Sequence, residues 1–140
     1  MPDKGRNMPA ISYEELTPGY EFPPTSYKLT SPFISKYVKA VDSPGAEFVP
    51  PLAIAACAMS AMAGSVSFPP GTIHASQEFE FFKLVPIGTV INCHTRVVRK
   101  LARTMMRMLV LELNILDENK ERVQSGKATI VLPVQRTNAQ

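Results

Sequence analysis

The chain has no tryptophan, only two histidines and only two cysteines in 140 residues. Cys57 and Cys93 form no CxxC pair, and each stands among apolar neighbours. That excludes a disulfide framework and a thiolate zinc site, and it reads as two reduced core thiols in a cytoplasmic protein. His74 and His94 are isolated, with no acid at ligand spacing, so no metal site is expected. Charge is sparse: Asp, Glu, Lys and Arg make up 19%, with a formal net charge of +3. This is no dense basic patch interleaved with aromatics, so nucleic acid is not an expected partner. The opening MPDKGRNMPA is polar, with two prolines, and does not read as a signal peptide. From Phe48 to Ile73 there is no charged residue at all, but the stretch is rich in Ala, Ser and Gly and is bracketed by Pro50, Pro51, Pro69 and Pro70. It falls short of the ~20 strongly apolar residues of a membrane span, so the expectation is a buried core helix and no membrane association. No internal repeat is present.

What is there divides cleanly. A hydrophobic fraction of 45% in a chain of this length suits one globular domain, placed at residues 13–134 between flexible tails at 1–12 and 135–140. Glu21 to Thr30 has extended character after a proline pair. Ser31-Pro32 then reads as a helix start, Ser at the N-cap and Pro at the first helical position. In the segment that follows, Phe33, Ile34, Tyr37, Val38 and Val41 share one face, and Ser43-Pro44-Gly45 ends it. Pro50-Pro51 opens a second helix, LAIAACAMSAMAGSV, apolar all round, the pattern of a helix wrapped on every side by the protein. After Gly71 the period becomes two. Ile73 to Phe82 is a strand with Ile73, Ala75, Phe79 and Phe81 on one face and His74 on the other. Val90 to Val98 places Ile91, Cys93, Thr95 and Val97 inward. Met105 to Leu116 buries Leu109, Leu111, Leu113 and Ile115. Asp117 to Lys120 is a hairpin turn, and Val123 to Leu132 is a further strand. One long buried helix followed by an antiparallel sheet means α+β, with the sheet laid around the helix.

Four pieces, in order, carry a resemblance: Gly19 to Pro23, the short helix Phe33 to Asp42 that ends in an acid, HASQEFEFFKLVPIG from His74 to Gly88, and LNILDENKERVQSGKATIVL from Leu113 to Leu132. Together they resemble the MaoC-like dehydratase and (R)-specific enoyl-CoA hydratase family. The resemblance implies a hot-dog fold, five or six antiparallel strands wrapped around a long buried helix. It also implies an acyl-CoA or acyl-carrier thioester as ligand, no further cofactor, a homodimer or a heteromer with another hot-dog subunit, and hydro-lyase chemistry at the β-carbon. In that family an Asp and a His lie five positions apart in an N-P-I-H loop. Here Asp42 falls on the Asp, Glu47 falls where the His belongs, and Ser43-Pro44-Gly45-Ala46 replaces the loop.

Hydration of an enoyl thioester needs a base, an acid, and donors aimed at the thioester oxygen. Pro50 and Pro51 have no N–H to give, so the free donors at the helix start would be Leu52 and Ala53. Asp42 and Glu47 could divide the acid and base roles, since two close carboxylates in a dry site push one pKa up. The plainer reading is two solvated loop acids, Glu47 favouring a helix N-terminus. His74 is a candidate ligand-binding residue or a surface histidine. Arg96, Arg99, Lys100, Arg103 and Arg107 form the strongest charge cluster; they could hold the phosphates of coenzyme A or meet an acidic carrier protein, or simply solvate a hairpin end. Met59, Met62, Met105, Met106 and Met108 could line an acyl tunnel or fill the core. Three functions stay open: a weakly catalytic or non-catalytic acyl-thioester-binding subunit, an active hydro-lyase using Asp42 and Glu47, and a thioesterase.

Overall fold

The computed structural model describes residues 11–37 and 47–133. Strand β1 (Ile11–Ser12) leads into a 3-10 turn at Tyr13–Glu15, then β2 (Thr25–Lys28) and a single helical turn α1 (Ser31–Ile34). Helix α2 (Pro51–Ser65) follows, then β3 (Val66–Ser67), β4 (Ile73–Phe81), β5 (Val90–Ala102), β6 (Met106–Leu116) and β7 (Arg122–Pro133). Five strands form one sheet in the order β2-β5-β6-β7-β4, and every neighbouring pair is antiparallel. Ile11 and Ser12 pair in parallel with Val66 and Ser67.

The sheet is built where alternation places it. Ile91, Cys93 and Val97 on β5 and Leu109, Leu111, Leu113 and Ile115 on β6 are all buried, and α2 packs across these two strands. Each such side chain is worth about 1.5–3 kcal/mol when fully buried. Burial also pushes the Cys57 thiol up to about 11 and the Cys93 thiol up to about 12, so neither is a reactive thiolate near neutral pH.

Three expectations are corrected. The α1 turn is capped by Thr30, whose Oγ1 accepts from the Phe33 N–H at 3.3 Å, and Pro32 stands at its second position. Helix α2 is not wrapped on every side. Leu52 is 69% exposed, Ala56 and Met59 are half-buried, and Ser60 and Ala63 are exposed, an uncovered and mostly apolar stripe at helical spacing. On β4 a bulge between His74 and Ser76 shifts the register, so that His74 pairs with Ile130 and Ile73 with Val131. Paired residues share a face, so His74 lies on the same face as Gln77, Phe79 and Phe81, while Ile73 lies opposite. Among the described residues no helix is long and apolar enough to cross a membrane.

Gly126 on β7 sits under the Phe79 ring. A Cβ there would lie 2.8 Å from the Glu78 carbonyl oxygen and 2.8 Å from Phe79 Cδ1 and Cε1, so glycine is what lets β4 close onto β7 at this point.

Candidate functional site

The start of α2 is held by backbone. Glu47 to Val49 lies against Val85 to Ile87: Val49 N–H donates to the Val85 carbonyl at 2.9 Å, Ile87 N–H donates to the Glu47 carbonyl at 3.0 Å, and Phe48 bridges Pro86. Gly88, at φ 102°, turns the chain so that its N–H reaches the Leu29 carbonyl at 2.8 Å. A positive φ of this kind favours glycine. Pro50 is the N-cap of α2 and offers no side-chain cap. The helix therefore opens with backbone donors and its positive end unclaimed by a side chain.

One buried side chain reaches this start. Gln124 of β7 is 1% exposed, and its Nε2 donates to the Pro51 carbonyl at 2.9 Å. Its sheet partners on either side are Phe81 on β4 and Ile115 on β6. Its Oε1 is buried without a hydrogen-bond partner among the described residues. Around this point Phe48, Leu52, Phe81, Phe82 and Leu84 are all exposed. The connections above bring them to one end of the molecule: Phe48 and Leu52 flank the two prolines, Phe81 pairs with Gln124, the Phe82 N–H donates to the Val123 carbonyl, and Leu84 precedes the Val85 contact. The arrangement is an apolar opening beside the positive end of a 15-residue helix. It can hold an apolar chain whose polar head carries a partial negative charge.

The residues singled out from the sequence fall into separate places. Asp42 and the replaced loop, Ser43 to Ala46, lie outside the described residues, as do Val38 and Val41. Glu47 stands four residues before α2 and is exposed. Leu52 lies at the opening. The Ala53 N–H donates to the Pro50 carbonyl at 2.9 Å, which leaves Leu52 as the first-turn donor of the two.

The remaining candidates are elsewhere. His74 is at the far end of β4, about 23 Å from Phe81 at strand rise, and its Nε2 meets Gln77 Oε1 at 2.9 Å. Arg96 pairs with Glu112 through Nε at 3.1 Å and Nη2 at 2.5 Å. Lys100 Nζ donates to the Leu16 carbonyl at 2.8 Å and lies 4.4 Å from the centre of the Tyr13 ring. Arg99 and Arg103 are exposed and lie toward the β5–β6 hairpin, where the Arg103 N–H closes onto Met106. His94 is half-buried, in a groove with Arg96, Asn114 and Arg122. Of the methionines, Met62 is core, Met59 faces the uncovered stripe, and Met105 is 81% exposed. Lys100 and Arg103 therefore lie toward the far end of β5, whereas Arg122 lies 5.0 Å from the Phe82 ring and Lys83 is paired with Asp117 and Glu121. Gln124 was not among the candidates. The signal was present in the strand Arg122–Pro133, where it shares alternating positions with Ala128, Ile130 and Leu132 and is the one long polar side chain in that set.

No family model matches the sequence, and comparison with curated proteins gives no match. Solved structures do match. The R-hydratase PhaJ1 from Pseudomonas aeruginosa, in its unliganded form, superposes with a TM-score of 0.70 at 18% identity, covering 94% of this chain and 94% of that one. A MaoC-like dehydratase from Rhodospirillum rubrum gives 0.69 at 18% identity, covering 88% of this chain and 97% of that one. A thioesterase superfamily member from Thermus thermophilus gives 0.63 at 12% identity over 84% of each chain. With its five antiparallel strands and packed helix, this chain has the hot-dog fold, in an arrangement similar to that of MaoC-like dehydratases and R-hydratases.

Proposed function

We propose that this chain binds an acyl thioester at the start of α2, as a dehydratase-related hot-dog protein with an altered acid–base loop that leaves it weakly catalytic or non-catalytic. The observation that carries the reading is the apolar opening of Phe48, Leu52, Phe81, Phe82 and Leu84 around the uncapped helix start. The helix dipole and the Leu52 N–H suit a thioester oxygen, and the exposed side chains suit an acyl chain. Glu47 in place of a histidine removes the imidazole that acid–base chemistry uses most. Carrier phosphates find few cations beside this opening among the described residues: Lys83 is paired with Asp117 and Glu121, and Arg122 lies 5.0 Å from the Phe82 ring. We place them with a second copy. The free edge of β4 and the uncovered stripe of α2 are surfaces a lone domain does not keep open. Antiparallel pairing of two β4 edges lays the start of one strand alongside the end of the other.

The test is calorimetric and spectroscopic. Purified full chain should bind butyryl-CoA, and it should hydrate crotonyl-CoA slowly or not at all, read as loss of enoyl absorbance. Fast hydration abolished by Asp42→Asn would make it an active hydro-lyase instead. Thiol release from acyl-CoA would make it a thioesterase. No binding over a panel of chain lengths, with both CoA and acyl-carrier thioesters, would overturn the reading.

A further inference from the structure

We infer that the groove on the outer face of the sheet, lined by His94, Arg96, Asn114 and Arg122, binds a phosphate group, free or as a small phosphomonoester, apart from the acyl opening and independently of the thioester reading. Strand pairing sets these side chains on the face turned away from α2. His94 stands opposite Asn114, and Arg96 stands opposite Glu112. Their chain neighbours Cys93, Thr95, Leu113 and Ile115 are buried on the helix side, as strand alternation requires. Arg122 begins β7 beside Leu116. Together with Glu21, these residues line a groove of about 330 Å³.

The donors of this groove are unspent, unlike the other cations described above. Lys83, Lys100 and Arg107 each end on a carboxylate or a carbonyl. Arg122 meets no carboxylate among the described residues. Its guanidinium lies 5.0 Å from the centre of the Phe82 ring, and a ring offers no lone pair, so its N–H donors stay available. Arg96 gives both Nε and Nη2 to one oxygen of Glu112, which leaves Nη1 with its two donors. The half-buried His94 ring and Asn114 carboxamide make no side-chain hydrogen bond among the described residues. Donors thus come from β5, β6 and β7. A planar carboxylate is filled by one fork, whereas a phosphate presents oxygens in several directions and takes donors from separate elements. Glu112 offsets the charge of Arg96, and Glu21 is the one carboxylate among the lining residues. The cation left without a carboxylate is Arg122. Leu116 offers an apolar wall to the organic part of a monoester. Because Arg122 also touches the opening through Phe82, the phosphates of a thioester carrier are the competing occupant, and the experiment separates the two.

The experiment titrates the nitrogen-15-labelled full chain with inorganic phosphate, and separately with acetate, at fixed pH and ionic strength, following the side-chain signals of Arg96, Asn114 and Arg122 by NMR. The inference expects saturable shifts at these residues with phosphate and binding about tenfold weaker with acetate. Arg122→Gln should weaken phosphate binding about tenfold, the ratio for one hydrogen bond to a charged group. Asn114→Asp, isosteric and negative, should weaken it at least as much. Glu21→Gln should tighten it, a sign that a merely structural role would not give, and this variant serves where Asn114→Asp does not melt cooperatively. Lys28→Ala, which removes an exposed cation of β2 outside the groove, should change nothing. Shifts that do not saturate, an equal response to acetate, groove variants that bind like the wild-type chain, or a loss in Lys28→Ala equal to that in Arg122→Gln would each overturn the inference. Displacement of phosphate by butyryl-CoA but not by butyryl-pantetheine would overturn the separate site and give the groove to the carrier's phosphates.

Discussion

Around the C-terminal end of α2 the charges are tied down, whereas around its N-terminal end apolar side chains stand open and a buried amide lacks a partner. At the first end Tyr13 carries Lys100 Nζ at 4.4 Å and Arg107 Cζ at 4.8 Å from its ring centre, and its hydroxyl donates to the Leu101 carbonyl at 3.0 Å. Arg107 adds Glu14 at 2.6 Å and the Pro133 carbonyl at 2.8 Å. Each cation there satisfies a backbone carbonyl or an aromatic face, which is how a structural cluster uses charge. At the second end Leu52, Phe81 and Gln124 break the rules that the first end obeys. Local inconsistency of this kind concentrates where function does. The difference teaches that charge alone does not mark the site: Lys83, Asp117 and Glu121 are paired near the open end too, and what sets that end apart is the uncapped helix start and the unpartnered amide.

The largest expected effect tests whether the open end is covered by a second copy. Leu52→Asp puts a charge into the uncovered stripe. Sedimentation should show wild-type dimer replaced by monomer, with the thermal melt of the monomer close to that of a dilute wild-type sample. A wild-type chain that is monomeric at all concentrations, and pairs only with another hot-dog subunit on co-expression, would place a different protein on this face. Next in size is Gly126→Ala. Its Cβ meets the Glu78 backbone at 2.8 Å, which cannot yield as a side chain can, so denaturant melts should show a loss of about 1–3 kcal/mol.

The scaffold end and the sheet were legible in the sequence because alternation leaves little choice. Leu109, Leu111, Leu113 and Ile115 can be buried together only on one face of a strand. The long helix announced itself by composition and by its two prolines. The site was legible only in part. Leu52 was found by counting donors past Pro51. Gln124 was passed over although it shares the inward phase of its strand, because a glutamine in a strand reads as solvent-facing until its neighbours are known. The placing of His74 opposite Phe79 failed on a bulge, a one-residue register change that flips every side chain before it and leaves no mark in residue type. Closeness in sequence groups Arg96, Arg99, Lys100, Arg103 and Arg107, but it does not show their partners: Arg96 pairs with Glu112 and Lys100 donates to the Leu16 carbonyl.

A third prediction concerns a polar anchor near the open end. Asp117 is buried at the β6–β7 hairpin and accepts from Lys83 Nζ at 2.7 Å and from the N–H groups of Asn119 and Glu121, each at 2.9 Å. Lys83 first, then these backbone donors, hold its carboxyl below the ordinary 3.8. A depressed folded pKa means that the stabilisation is fully present above the unfolded value and is lost as pH falls through the folded one. Asp117→Asn should therefore lower stability near neutral pH by about 1–2 kcal/mol, and flatten the part of the acid-unfolding curve below pH 3.8. An unchanged acid limb would show that other carboxylates govern it.

The smallest effect is the one that most directly probes the contrast between the two ends. Arg107→Ala removes the contacts to Glu14, Pro133 and Tyr13, and the expected cost is about 1 kcal/mol in a urea melt. If the C-terminal end is scaffold alone, butyryl-CoA should bind this variant with unchanged affinity, and the same should hold for Lys100→Ala. Coenzyme phosphates held by these cations would instead show as weaker binding with a reduced salt dependence, because each lost cation releases fewer counterions on association. That result would move the carrier head to the C-terminal end of α2, and would require the acyl chain to run the full length of the helix, about 22 Å for its 15 residues. A four-carbon chain cannot span that distance, so the comparison between short and long acyl-CoA ligands on Arg107→Ala decides whether the two ends of the helix serve one ligand or only one of them does.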